Sequence, residues 1–134
     1  MKIFWYIWML PQNLLGLCVK YLFKTTYLSK YMECDLYTII CSFIPGVSLG
    51  KYIFVNWRTR RGYFHFTVRH EYGHYLQGKI FGPLYLLVIG LPSVINNLRA
   101  RIDNHVAVTY YDRYPEKWAN ELGSKKVGKC TWES

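Results

Sequence analysis

The sequence predicts a single α+β domain in which a short antiparallel hairpin precedes a helix, with apolar helical segments at the N-terminus and in the centre of the chain. Its 134 residues fit one domain, and the hydrophobic fraction of 51% is enough for a core. Alternating β-forming residues between Val47 and Val68 indicate two strands, and a helix-compatible stretch follows. We place the domain at residues 1–123 and expect residues 124–134 to form a flexible, basic tail.

Residues 1–30 are predicted to form an apolar, aromatic segment that associates with a membrane. Trp and Tyr favour the headgroup boundary, and several lysines follow the apolar run of residues 3–10. Pro11 interrupts this run, so no clean spanning helix is expected, and no small-residue cleavage site supports a signal peptide. A helix packed in the protein core is the alternative. We therefore expect a membrane-associated protein, peripheral or integral, with the cytoplasm as the second choice.

The hairpin is expected to pair residues 51–57 with residues 63–68 across a basic turn that ends in Gly62. The helix should begin near Val68 and end near Lys79, since two glycines and a proline follow.

The C-terminal half is predicted to contain an apolar connection, a strand or loop and a final helix. The connection, residues 82–93, should lie against the preceding helix or in the membrane interface, and a lipid or cofactor groove is the alternative. A strand or loop is expected over residues 104–111. Pro115 opens the last helix and Gly123 closes it.

The net charge of +9, from 17 basic and 8 acidic residues, favours anionic partners, either phospholipid or nucleic acid. The long uncharged, apolar runs argue against nucleic acid without excluding it. Cysteine spacing shows no metal-binding or redox pattern, so we expect reduced, buried thiols at all four positions: Cys18, Cys34, Cys41 and Cys130.

One motif within the predicted helix carries recognisable chemistry. Residues 70–74 read His-Glu-Tyr-Gly-His, or H-E-x-x-H. Residues four apart lie on one helical face, so His70 and His74 can reach a single tetrahedral Zn²⁺. Glu71 points toward the open side of the metal, where it can take a proton from water and pass it to a leaving amine. The alternative is a surface helix whose histidines bind nothing.

The motif and its context resemble the zincin metallopeptidases, whose HExxH helix follows the edge strand of a small sheet. The resemblance covers the helix and the preceding hairpin, and it implies that His70 and His74 are zinc ligands and Glu71 the catalytic glutamate. It also implies that residues 63–68 form an edge strand that pairs with an extended peptide substrate. The expected protein is a small zincin-like, zinc-dependent peptidase whose partners are a peptide or protein substrate and a membrane surface.

A catalytic zinc also needs a third protein ligand and an open position. The metzincin continuation of the motif is absent, because Gln77 and Ile80 stand where that group has glycine and histidine. The scarcity of carboxylates leaves a short list of downstream candidates. We choose Glu116, with His105 and Asp112 as alternatives.

Glu116 begins the predicted last helix, one turn before Asn120. The run Glu-x-x-Ala-Asn resembles the gluzincin pattern, in which a glutamate ligand is followed four positions later by an aspartate that supports a ligating histidine. Asn120 takes the place of that aspartate here. As an alternative, Glu116 is a helix N-terminal carboxylate favoured by the helix dipole.

A peptidase also needs a donor for the tetrahedral oxyanion. The candidates between the motif and the third ligand are His105, Tyr110, Tyr111 and Tyr114.

Four other functions compete with a membrane-associated peptidase. Arginines among aromatic residues at positions 57–61 would suit a DNA-associated zincin. Cys34 would be the third ligand in a deformylase-like amide hydrolase. A non-catalytic zinc-binding or membrane-interaction protein would keep the histidines without the chemistry. An intramembrane protease is disfavoured, because the polar residues around the motif would be costly in lipid.

Overall fold

A four-stranded mixed sheet and several helices form an α+β fold, as the sequence predicts. The computed structural model describes residues 3–41, 45–59 and 61–127, except for the side chains of Arg61 and Val127. The elements in chain order are α1 (Ile3–Trp8), α2 (Leu10–Leu22), β1 (Thr25–Tyr31), β2 (Cys34–Ile39), β3 (Gly46–Leu49), β4 (Tyr52–Asn56), α3 (Arg61–Phe81), a 3₁₀ turn (Gly82–Leu84), a π-helical turn (Leu86–Gly90), α4 (Leu91–Ile102), α5 (Asn104–Val108), a 3₁₀ turn (Tyr110–Asp112) and α6 (Glu116–Val127).

The sheet has the order β1-β2-β4-β3. Strands β1 and β2 pair antiparallel, β3 and β4 do the same, and β2 lies parallel to β4. Apolar side chains of α3 pack on one face of the sheet, and side chains of α2 pack on the other. Ile53, Phe54 and Val55 of β4 are consequently fully buried, as expected for a strand covered on both faces.

The predicted hairpin is displaced along the sequence. Strands β3 and β4 form it, with a turn at Gly50, whose φ of +61° suits glycine. Residues 63–68, predicted to be a strand, are the first turns of α3, so that prediction is wrong. Phe64, Val68 and Tyr72 follow the helical four-residue spacing and join one core cluster, and this packing overrides the β propensity of the aromatic residues.

The end of the histidine-bearing helix is confirmed, because α3 ends at Phe81 and a 3₁₀ turn with Gly82 follows. The predicted strand or loop over residues 104–111 is instead largely helical. The last helix does not close at Gly123 but continues to Val127. Residues 124–127 of the predicted tail therefore belong to this helix, and residues 128–134 lie outside the described residues.

The N-terminal helices dock on the end of α3 through polar side chains. The indole nitrogen of Trp8 donates to the carbonyl of Lys79 at 3.0 Å, and the Gln12 amide donates to the carbonyl of Gly82 at 3.0 Å. In the described part of the chain, no helix combines the length and apolarity needed to cross a membrane.

The cysteines of the described residues are free thiols in three different environments. Cys34 is buried in the sheet, and burial raises the pKa of its thiol well above the usual value. Cys18 is exposed and Cys41 is half-buried, so burial was wrong for Cys18, which lies on the outer side of α2. Cys130 is not among the described residues.

Candidate metal centre

The close approach of α3 and α6 positions the candidate site. A Cβ added at Gly73 would lie 1.8 Å from the carbonyl oxygen of Ala119, and one at Gly123 would lie 2.4 Å from that of Arg69. A side chain at either glycine would therefore push the helices apart. This contact is the physical reason that Gly123 lies inside α6 rather than at its end.

The crossing brings His70 and His74 of α3 against Glu116 of α6. One ligand atom from each residue lies within 4.8 Å of the other two, and all three residues are buried. The two Nε2 atoms are 3.2 Å apart, and the Nε2 of His74 lies 3.6 Å from the Oε1 of Glu116. These three residues form a cluster that could hold a metal ion.

Amide side chains orient both imidazoles. The Nδ1 of His70 lies 2.8 Å from the Oδ1 of Asn120, and the Nδ1 of His74 lies 2.7 Å from the Oε1 of Gln77. An amide oxygen only accepts, so each imidazole donates from Nδ1 and keeps its Nε2 lone pair for the cluster. Asn120 thus contacts a histidine of the cluster, as the gluzincin-like pattern predicts for the residue at this position, and it does so with an amide oxygen in place of a carboxylate oxygen.

Electrostatics at the cluster suit a cation. Burial, reinforced by the neighbouring His74, lowers the pKa of His70 to about 3, so its ring is neutral. Burial also opposes a charge on His74, but the carboxylates of Glu116 and Glu71 outweigh it and raise the pKa of that imidazole. The two carboxylates therefore stabilise positive charge at His74, the imidazole next to Glu116, while His70 stays a neutral ligand.

The carboxylate of Glu116 is fully buried and is held by three donors. Ser93 and Asn96 of α4 donate to it at 2.5 and 3.1 Å, and the hydroxyl of Tyr110 donates at 3.3 Å. Burial alone would raise the pKa of Glu116, yet the neighbouring His74 imidazole and the hydrogen bond from Ser93 lower it. The carboxyl group therefore stays ionised and fixed in orientation.

Glu71 is buried beside the histidines and lines the same cavity. Burial raises the pKa of its carboxyl to about 7, although His74 opposes the shift. The backbone of β3 comes close to this side chain: a Cβ added at Gly46 would lie 3.3 Å from the Cγ of Glu71. Glycine at this point leaves space between the sheet edge and the carboxylate.

A cavity of about 650 Å³ extends from the cluster to the surface between α2, β3 and α4. His70, Glu71 and His74 line its inner part, and most of the remaining lining side chains are apolar. Its outer part includes half-exposed side chains such as Leu91 and Leu98, so the cluster is reached through an apolar passage.

Three of the other predicted site residues lie apart from the cluster. His105 and Asp112 are exposed and do not line the cavity. The hydroxyl of Tyr114 donates to the carbonyl of Val88 at 2.8 Å, also away from it. Tyr111 does line the cavity, and its ring lies edge-on to that of His70 at 5.0 Å between centroids.

Sequence reasoning missed the polar groups that support the cluster. Gln77 follows His74 by three residues, which places it on the same helical face, and it also donates to the carbonyl of Pro115 at 3.1 Å. Ser93 and Asn96 stand three apart in a mostly apolar segment, a spacing that indicates one shared polar face. Cys34, the ligand of the deformylase-like alternative, lies in the hydrophobic core and not in the cluster.

Comparisons of the chain with protein-family models, with curated proteins and with solved structures found no match. The chemistry of the cluster is therefore the basis for assigning a function.

Proposed function

We propose that the protein is a zinc-dependent peptidase that works at a membrane surface, with His70, His74 and Glu116 as ligands and Glu71 as the general base. The observation that carries the proposal is the convergence of the three ligand atoms within 4.8 Å, next to a cavity that His70, His74 and Glu71 line. Two imidazoles and one carboxylate are a ligand set of catalytic zinc sites, in which a fourth position remains for water or substrate.

Zinc bound there would act as a Lewis acid that polarises the scissile carbonyl and acidifies a water molecule. The residues of the chain supply the remaining steps. Glu71 accepts a proton from the attacking water as the new carbon–oxygen bond forms and the carbonyl oxygen becomes an oxyanion. It then gives this proton to the amine, so that the carbon–nitrogen bond breaks and the carbonyl group re-forms as a carboxyl. Tyr111 is the candidate donor to the oxyanion, because it lines the cavity next to His70.

The edge of the sheet offers a place for the substrate main chain. Strand β3 lies at one edge, the cavity runs along it from Gly46 to Leu49, and among the described residues no further strand pairs with its outer side. An extended peptide added there would be a fifth strand beside Glu71. Strand β3 thus takes the role expected of residues 63–68.

Metal content and peptide cleavage test the proposal together. We expect purified protein to hold about one zinc ion per chain. His70→Ala, His74→Ala and Glu116→Ala should lose the zinc, whereas Glu71→Gln should keep it and lose cleavage of a peptide library. The matched control is His65→Ala, which removes an exposed histidine of the same helix and should change neither property.

Protein that binds no zinc, or Glu71→Gln with full activity, would contradict the proposal. Zinc bound by protein that cleaves no peptide would favour the non-catalytic alternative.

A further inference from the structure

Helix α2 buries two polar side chains and exposes most of its large apolar ones, although Leu17 and Val19 pack against the sheet. Gln12, Asn13 and Gly16 are its buried residues. Both amides bind backbone groups, since Gln12 donates to the carbonyl of Gly82 and Asn13 accepts from the N–H of Lys51 at 2.8 Å. The large side chains on the outer side are apolar or aromatic and exposed: Leu10, Leu14, Leu15, Tyr21 and Leu22. A helix surrounded by water has the opposite arrangement.

Helix α4 repeats this arrangement. Its only buried residue is Asn96, which binds Glu116 and the carbonyl of Tyr114. Its exposed apolar side chains are Leu91, Val94, Ile95, Leu98 and Ile102, and Ile102 is 88% exposed. Two helices far apart in sequence thus turn apolar surface outward on the two sides of one cavity.

The charges of these segments have one sign. Residues 1–32 and 72–102 contain no Asp or Glu. Lys20 and Lys24 occur at and after the last turn of α2, and Arg99 and Arg101 in the last turn of α4. The exposed Asp103 follows α4 directly, but the four cations at the ends of the two helices outnumber it. An apolar surface with this net positive border complements a bilayer with anionic headgroups, and a second copy of the same cationic surface would be repelled.

The cavity joins these outer faces to the candidate metal centre. Leu15 and Val19 of α2 line one side, Val94 and Leu98 of α4 line the other, and Glu71 lies at the inner end. Ser48 of β3 also lines the cavity, and its hydroxyl is buried without a hydrogen-bond partner among the described residues. An apolar passage with a polar strand edge suits a polypeptide with bulky apolar side chains better than a lipid chain.

We infer that α2 and α4 dock on an anionic bilayer with the cavity open toward the lipid, so that the substrate is an apolar polypeptide segment taken from the membrane. This inference rests on the proposed peptidase function for its chemistry, but docking and capture are binding events. They can be measured in the Glu71→Gln protein, which cleaves nothing under the proposed mechanism.

The first test measures docking with vesicles of phosphatidylcholine and phosphatidylglycerol in a 3:1 ratio. Full-length Glu71→Gln protein should float with these vesicles and less with phosphatidylcholine alone. Adding Leu22→Glu or Ile102→Glu, at exposed positions outside the cavity, should reduce the bound fraction about tenfold. Leu28→Glu, an exposed leucine on β1, is the matched control and should not change it. Equal loss in all three variants, or no flotation, would overturn the inference.

The second test measures capture in the cavity. An apolar 20-residue peptide with a central benzoylphenylalanine, reconstituted in the same vesicles, should crosslink to α2 or α4 residues that line the cavity. Val94→Trp should narrow the passage and reduce this crosslinking about tenfold while leaving flotation intact. A polar, water-soluble peptide with the same photoreactive residue should crosslink far less.

Three results would overturn the inferred substrate: equal crosslinking of the soluble peptide, preferential labelling by a photoreactive lipid chain, or a stable dimer that hides the two helices. If docking and capture occur but wild-type protein neither binds zinc nor cleaves peptide, the proposed function fails and the docking surface stands. If cleavage occurs without docking, only the inferred substrate fails.

Discussion

Helices α3 and α2 both bury polar side chains, but these side chains have different roles in the two helices. In α3 every residue from Thr67 to Gly78 is buried, and its polar groups point at one another and at α6. In α2 the buried amides bind backbone groups of neighbouring segments, and the opposite side of the helix is exposed and apolar.

This difference separates the site from its surroundings. Surrounding protein keeps the polar groups of α3 in fixed positions with few alternative partners, as a metal centre needs. The amides of α2 fix only the position of the helix. Its outer side remains available to contact a surface such as a bilayer. Substitutions in α3 should therefore change zinc binding and peptide cleavage, whereas substitutions on the outer side of α2 should change binding to membranes.

The largest expected effect is that of Glu71→Gln. Loss of the general base should lower the peptide-cleavage rate about 10² to 10⁴-fold. The fold should be retained, because glutamine has nearly the same shape and removes a buried charge. The measurements are cleavage rate and thermal unfolding, and a large drop in the unfolding temperature would contradict a purely chemical role.

The second-largest expected effect is that of Gly73→Ala, which places a methyl group at the crossing of α3 and α6. Its new methyl group would meet the backbone of Ala119, so we expect a loss of about 3 kcal/mol in the free energy of unfolding, together with weaker zinc binding. Urea denaturation measures the first quantity. Unchanged stability would mean that the helices can separate without cost.

Asn120→Leu should have a smaller effect, confined to the metal. Without the acceptor for Nδ1 of His70, zinc affinity should fall about 10- to 100-fold. Asn120→Asp keeps an acceptor and is the matched control. Competition with a chelating dye gives the affinities, and equal values for Leu and Asp would show that this contact does not orient the ring.

Gly62→Ala, at the start of α3, should stabilise the protein. No atom lies within 4 Å of the added Cβ, and alanine in a helix is favoured over glycine by about 0.5–1 kcal/mol. It makes the same change as Gly73→Ala in the same helix, but at a glycine where the added Cβ contacts no other segment among the described residues. A decrease in the urea midpoint would contradict the described start of α3.

The smallest expected change in stability is that of Leu22→Gln on the outside of α2. Leu22 is 80% exposed, so the free energy of unfolding in detergent-free buffer should change by no more than about 0.5 kcal/mol. Leu36→Ala in the core should cost about 2–5 kcal/mol by comparison. A large loss at Leu22 would mean that this side chain packs against protein.

The sequence predicts the α+β class and the end of the histidine-bearing helix because both depend on local signals, namely alternation and helix-stopping residues. It does not predict the start of α3 or the helical character of α4. The aromatic residues at 63–66 suit a strand equally well until the core of the sheet selects the helical spacing. Pro92 resembles a break in the apolar segment, yet it stands in the first turn of α4, where proline is tolerated.

Prediction of the site depended on spacing. The four-residue interval between the histidines is a local property. Few carboxylates follow the motif, and among them Glu116 stands at a helix start one turn before Asn120. The supporting residues Ser93 and Asn96 were not found, since their role arises only where α4 crosses over Glu116. The contact that unites the two halves of the cluster depends on missing side chains at Gly73 and Gly123, which only three-dimensional packing reveals.

The amide contacts of α2 also impose an order on assembly during synthesis. Asn13 reaches its partner 38 residues later, and Gln12 reaches its partner 70 residues later. The N-terminal helix therefore leaves the ribosome first, but its inner side is completed only after more than half of the chain has emerged. If α2 docks on a bilayer as inferred above, its apolar side can make this contact during that interval, so contact with the membrane would precede folding rather than follow it.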